Sequence, residues 1–200
     1  MVQAEIMMLS KGTPEFDMDE YVMSQLYNTY FGFGLSSIVF QEIRESKALA
    51  YSAYSFYGSP SKKENAHVLQ AYVGTQVDKL PDAVPAMQGI IEDMPVSESQ
   101  IETARESIMK KIESERITKM SKYWNYLSNK RKGIDYDVRK EVYNKMKTVT
   151  VDELVNFQKE HVKGRDFSIC VLGSKESLDM DFLKTLGTVE ELTLEQVFGY

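Results

Sequence analysis

Arg44 and Tyr51, seven positions apart in this chain of 200, carry side chains whose donors could serve a carbonyl or an oxyanion. A guanidinium presents several fixed donors to a peptide carbonyl. A phenol can donate to the oxyanion that develops at a tetrahedral carbon. Each also has a plainer reading, Arg44 as the partner of a neighbouring acid on a helix surface and Tyr51 as an ordinary strand aromatic. Residue types and spacing leave both readings open.

Other chemistries find no support. Zinc peptidases need closely spaced His and Glu ligands and a Glu base. This chain has two histidines, His67 and His161, 94 positions apart. Glu160-His161 matches only the end of an H-x-x-E-H motif, and Phe157 stands where its first His would fall. His161 reads as a helix-end residue favoured by the helix dipole, and His67 as a strand residue. There is no G-x-S-x-G nucleophile elbow. The single cysteine, Cys170, excludes an internal disulfide and a Cys-based zinc site, and its apolar run Phe167–Leu172 predicts a buried strand cysteine. Gly32-Phe33-Gly34 is too short for a phosphate-binding loop and follows a helix rather than a strand. The expectation is therefore no catalytic residue, no metal ligands and no cofactor in this chain.

The elements that must position Arg44 and Tyr51 are a turn, a helix and a strand. Gly32 and Gly34 are predicted to permit positive φ and to end an incoming helix. Ser36 or Ser37 is placed to cap the next helix. Leu35, Ile38, Val39 and Ile43 recur at helical spacing, with Arg44 in the last turn. Residues 49–57, rich in Tyr and Phe, read as a strand, so Arg44 and Tyr51 flank one helix–strand corner.

Around this corner, residues 2–9 read as a strand, 11–14 as a loop and 17–30 as a helix. Residues 58–65 form a polar turn, so 49–57 and 66–75 are predicted to pair antiparallel. Helices follow over 80–94, 98–115 and onward to Gly133, 137–147 and 151–162, with capping boxes at Ser97–Gln100 and Thr150–Glu153. Gly164 is the expected cap of the last of these. A strand at 166–172, a short helix at 179–186 and an edge strand within 189–200 complete the chain. Hairpin strands with grouped helices predict an α+β fold, a mainly antiparallel sheet with helices on one face.

The net charge of −6 argues against general nucleic-acid affinity. It is unevenly spread: residues 101–147 carry 13 Lys and Arg against 7 Asp and Glu, leaving −12 elsewhere. Because Glu is interleaved, a solvated helical face is the first reading, with attraction of acidic substrates or of a partner half as the second. No apolar stretch reaches the ~20 residues of a membrane span, and the first residues do not read as a signal peptide.

Residues 31–51 resemble the last homologous domain of the pitrilysin/insulinase zinc metallopeptidases, the inverted H-x-x-E-H enzymes. The family pattern there is close to F-G-G-G-M-S-S-x-L-F-x-E-x-R-E-x-x-G-L-A-Y. Phe31, Gly32, Gly34, Ser36, Ser37, Phe40, Glu42, Arg44, Glu45, Leu49, Ala50 and Tyr51 are in register with it. Phe33 and Ala48 depart from it, each standing where Gly is usual, which suggests a less permissive backbone at those turns.

The resemblance implies a metallopeptidase-like domain whose Arg44 and Tyr51 reach peptide substrate beside a zinc held by another, N-terminal half. Residues 1–200 are then one C-terminal domain excised from a larger peptidase, inactive alone. As a fragment starting inside a strand, the chain is expected to leave the compartment open, an extracytoplasmic one such as the periplasm included. Scaffold or processing-complex subunits of the same family, and a stand-alone peptide-binding module, are the alternatives.

Overall fold

In the computed structural model, which describes residues 3–199, four antiparallel strands form one sheet in the order β2-β3-β1-β4. The strands are β1 (Gln3–Pro14), β2 (Ser52–Gly58), β3 (Ala66–Gln76) and β4 (Ser168–Gly173). Residues 52–58 pair with 68–74 as an antiparallel hairpin. β1 is longer than expected: residues 11–14 continue the strand through a register shift opposite Ala66 instead of forming a loop.

Side chains alternate across the sheet. Ile6 and Met8 of β1, Leu69, Ala71 and Val73 of β3 and Tyr57 of β2 are buried on one face. Helices α1 (Met18–Tyr27), α2 (Leu80–Glu92), α3 (Glu98–Ser114), α4 (Lys119–Arg131), α5 (Arg139–Thr148), α6 (Val151–His161), α7 (Met180–Leu186) and α8 (Leu194–Phe198) complete the chain. Leu26 and Tyr27 of α1, Leu80, Val84 and Met87 of α2, and Leu154 and Phe157 of α6 close the core over that face. Tyr27 stacks on Phe31 at 5.1 Å, and Tyr57 meets Phe157 edge-on at 5.2 Å. The opposite face stays open, and one row across it runs Tyr54, Tyr72, Met7, Cys170.

Helix caps follow the sequence in one case and not in the other. At α6 the box is complete: Glu153 N–H donates to Thr150 Oγ1 at 3.2 Å, and Thr150 N–H donates to Glu153 Oε2 at 2.9 Å. At α3 Ser97 makes no side-chain cap. Its N–H, which the box would give to Gln100, instead donates to the Tyr30 hydroxyl at 3.0 Å. A tertiary acceptor has displaced the local one.

The helices expected at 98–115 and onward to Gly133 are α3 and α4, with 115–118 between them. Two further expectations are corrected. The tail forms the short helix α8 within 189–199 rather than an edge strand, Tyr200 lying outside the described residues. Cys170 is exposed, because it lies on the open face of the edge strand β4 while its neighbours Ile169 and Val171 turn toward the core.

Candidate functional site

Val39 and Ile43, both fully buried, anchor the segment that carries Arg44, which includes the π-helical turns Phe40–Ser46. Ser37, rather than Ser36, starts it: Ser37 Oγ accepts from Phe40 N–H at 3.3 Å and donates to Gly34 O at 2.8 Å. With Ile43 turned inward, Arg44 points to solvent. Its side chain is 44% exposed, its Nε lies 3.7 Å from Glu45 Oε1, and its guanidinium sits 4.8 Å over the Phe40 ring. An exposed pair of that length holds the side chain weakly.

The chain then turns sharply at Ala48, whose φ is +48°. Only glycine adopts such a conformation without a Cβ penalty. The corner is fastened from outside: Lys79 Nζ donates to Ala48 O at 2.8 Å and the Thr75 hydroxyl donates to Leu49 O. Tyr51 N–H donates to Gly74 O at 3.0 Å, just ahead of the β2 ladder.

This bend carries the Tyr51 ring onto the open face of the sheet, over Gly74. A Cβ at Gly74 would lie 3.0 Å from Tyr51 Cζ and 2.8 Å from the Tyr72 hydroxyl. Tyr51 is 42% exposed, and among the described residues its hydroxyl makes one long bond, donating to Gln3 Oε1 at 3.4 Å. Tyr72 stacks on Tyr54 at 5.1 Å, and Phe33 meets Tyr54 edge-on at 5.9 Å. Burial first, then the neighbouring Glu5 carboxylate, pushes the Tyr72 phenol upward. Arg44 and Tyr51 are thus both presented to solvent on either side of the corner. Among the described residues no bond or ring contact joins them.

The two glycines serve different ends. Gly34 has φ +103° with open space around it, as expected of a turn. Gly32 does not have positive φ; it is buried, and a Cβ there would sit 2.0 Å from Ser55 O. Its role is to let the 28–32 segment touch β2. Phe33 has φ −139°, an extended conformation any residue adopts, so its departure from the family pattern carries no backbone cost, whereas that at Ala48 does.

A polar cluster under the helices escaped the sequence. Glu20 gathers both histidines: its carboxylate lies 3.8 Å from His67 Nδ1 and 3.3 Å from His161 Nδ1, and accepts from the Tyr57 hydroxyl at 2.7 Å. His67 is almost wholly buried, with its Nε2 accepting from Asp17 N–H at 3.2 Å. Burial lowers its pKa, opposed by Glu20 and Asp17. These residues come from α1, β2, β3 and α6, and no local spacing relates them. Among the described residues no group of three or more His, Cys, Asp or Glu side chains is placed to hold a metal ion, and no helix is long and apolar enough to cross a membrane.

A family model described as the peptidase M16 inactive domain matches residues 2–108. The chain is 28% identical over 154 residues to the uncharacterized zinc protease YmxG of Bacillus subtilis, covering 72% of this chain and 35% of that protein. It is 33% identical over 108 residues to an uncharacterized zinc protease of Rickettsia bellii, covering 53% of this chain and 26% of that protein. It therefore spans about a third or less of these relatives' length. Among solved structures it resembles the peptidase M16 inactive domain from Pseudomonas fluorescens, with TM-score 0.68 and 14% identity over 84% of this chain and 40% of that one. It also resembles an inactive peptidase domain from Bordetella parapertussis, with TM-score 0.68 and 11% identity over 86% of this chain and 91% of that one. A chain of complex III from Candida albicans gives TM-score 0.63 and 15% identity over 93% of this chain and 47% of that one. At these identities the structures speak to fold alone.

Proposed function

This chain belongs to the peptidase M16 inactive-domain family of zinc proteases, and from that premise we propose that it is the substrate-contacting C-terminal domain of a zinc endopeptidase. Zinc and the hydrolytic water belong to an N-terminal half, and peptide is enclosed between the two. Arg44 binds a substrate carbonyl, and Tyr51 donates to the oxyanion as water attacks.

The observation that carries this is the state of the Tyr51 hydroxyl. It is exposed and, among the described residues, donates only at 3.4 Å to Gln3 Oε1, while its ring is seated on Gly74. A seated ring whose hydroxyl gives its proton to so long and exposed a contact can turn it to an acceptor that arrives with the ligand. The buried Tyr30, by contrast, gives its hydroxyl proton to Pro95 O at 2.7 Å inside the domain.

The test is peptide hydrolysis by the full-length parent carrying Tyr51→Phe or Arg44→Ala. Wild-type rates in both variants would overturn the assignment. The second reading is a scaffold subunit of the same family. A parent protein without zinc-dependent cleavage would select it.

A further inference from the structure

Helix α4 buries none of its residues, although its N-terminus is properly capped by Thr118 and Ser121. Met120, Tyr123, Trp124 and Leu127 recur at i, i+3, i+4 and i+7, the spacing of one helix face. Met120 is 65% exposed, Tyr123 58% and Trp124 56%. Exposed apolar stripes with polar rims mark interaction surfaces. The rim within 116–131 has one sign: Arg116, Lys119, Lys122, Lys130 and Arg131 and no acid, while Lys132 turns onto the Phe16 and Tyr21 rings. Among the described residues, none of these five forms an ion pair.

The tail of the same chain has the complementary character. Residues 188–199 carry Glu190, Glu191 and Glu195 and no basic residue. Leu192, Leu194 and Val197 between them are 61%, 74% and 56% exposed. Tail and α4 are fastened at opposite ends of the sheet. Glu191 pairs with Lys175 at 2.6 Å, just after Gly173, which lies opposite Ala4. The last turn of α4 is held at the other end, where Lys63 N–H donates to Arg131 O at 3.0 Å beside the Pro14–Ala66 pair. About 30 Å of β1 lies between those ends.

We propose that the α4 stripe is a self-association surface whose occupant is the acidic, aliphatic tail of a second copy of this chain. Because the two surfaces sit at opposite ends, two antiparallel copies form the same contact twice and close as a dimer. Leu192, Leu194 and Val197 cover Met120, Tyr123 and Trp124, while the glutamates meet the basic rim. This inference is independent of the roles given to Arg44 and Tyr51.

Trp124 is the sole tryptophan, so its emission reports on the stripe directly. The experiment is sedimentation velocity over a protein concentration series at low and high salt, with Trp124 emission recorded alongside. A dimer is expected that blue-shifts the emission and weakens as salt shortens the Debye length from ~10 Å at 0.1 M to ~3 Å at 1 M. The pair Lys119→Glu and Lys122→Glu, or the pair Glu190→Lys and Glu195→Lys, should each weaken it by about tenfold or more. All four together should restore it. These positions are at the surface, and circular dichroism confirms that each variant folds. A chain that stays monomeric throughout overturns the proposal, as does a dimer indifferent to both reversals. So does an emission shift that appears only with anionic lipid vesicles, which would assign the stripe to a membrane surface.

Discussion

The ring of Tyr51 rests on the bare backbone of Gly74, one strand over, and a methyl group at Gly74 would come within 3.0 Å of it. The glycine therefore sets where the tyrosine hydroxyl stands. Gly74→Ala should lift the ring while leaving the β2–β3 ladder intact. Misplacement of a contacting group by about 1 Å costs on the order of 10²-fold in rate. A loss of peptidase rate in the parent of about tenfold to a hundredfold, at unchanged melting temperature, is the expected result.

Tyr51→Phe removes the hydroxyl alone, and Arg44→Ala removes a side chain that is 44% exposed. Each should lower turnover in the parent by about 10²–10³-fold, the usual loss of one donor to the reacting carbonyl or its oxyanion. Thermal unfolding and zinc content should not move. Kinetics and metal analysis on the same preparations check both halves of this expectation.

Gly32 and Gly34 should respond differently to the same substitution. Gly32→Ala forces a Cβ to 2.0 Å from Ser55 O, where neither backbone can yield cheaply. Overpacking of that kind costs about 2–3 kcal/mol. Gly34→Ala meets no neighbour and should cost only the positive-φ penalty, about 1 kcal/mol. Urea unfolding of the two variants gives the comparison.

Ala48 holds φ +48°, a strained place for a side chain. Ala48→Gly should relieve about 1–2 kcal/mol of that strain and lose part of it to the entropy of a freer unfolded chain. A net gain of about 0.5–1 kcal/mol in unfolding free energy is expected.

His67 makes stability depend on pH. Its folded pKa is lowered below 6.5, chiefly by burial. Below pH 6.5 the unfolded chain therefore binds a proton that the folded chain does not, and stability falls as pH falls through that window. Protonation also removes the Nε2 lone pair that accepts from Asp17 N–H. His67→Gln should flatten this part of the pH profile, measured by urea midpoints between neutral and mildly acidic pH.

Local pattern in the sequence was enough for the hairpin of β2 and β3, the α6 capping box and the corner that separates Arg44 from Tyr51. Each depends on neighbours a few residues apart, and short-range rules describe such neighbours well. The α+β class followed from the order of those elements. What needed three dimensions was every property set by a distant partner. Ser97 lost its box to Tyr30, 67 residues away. Gly32 is required by the carbonyl of Ser55 rather than by its own φ. Cys170 looked buried from its apolar neighbours, yet it faces outward because β4 is an edge strand with one side uncovered. Glu20, His67 and His161 meet only because α1, β3 and α6 pack together. Periodicity tells which face of an element is apolar. Only the tertiary fold decides what covers that face, and so which side chains keep a hydrogen bond free for another molecule.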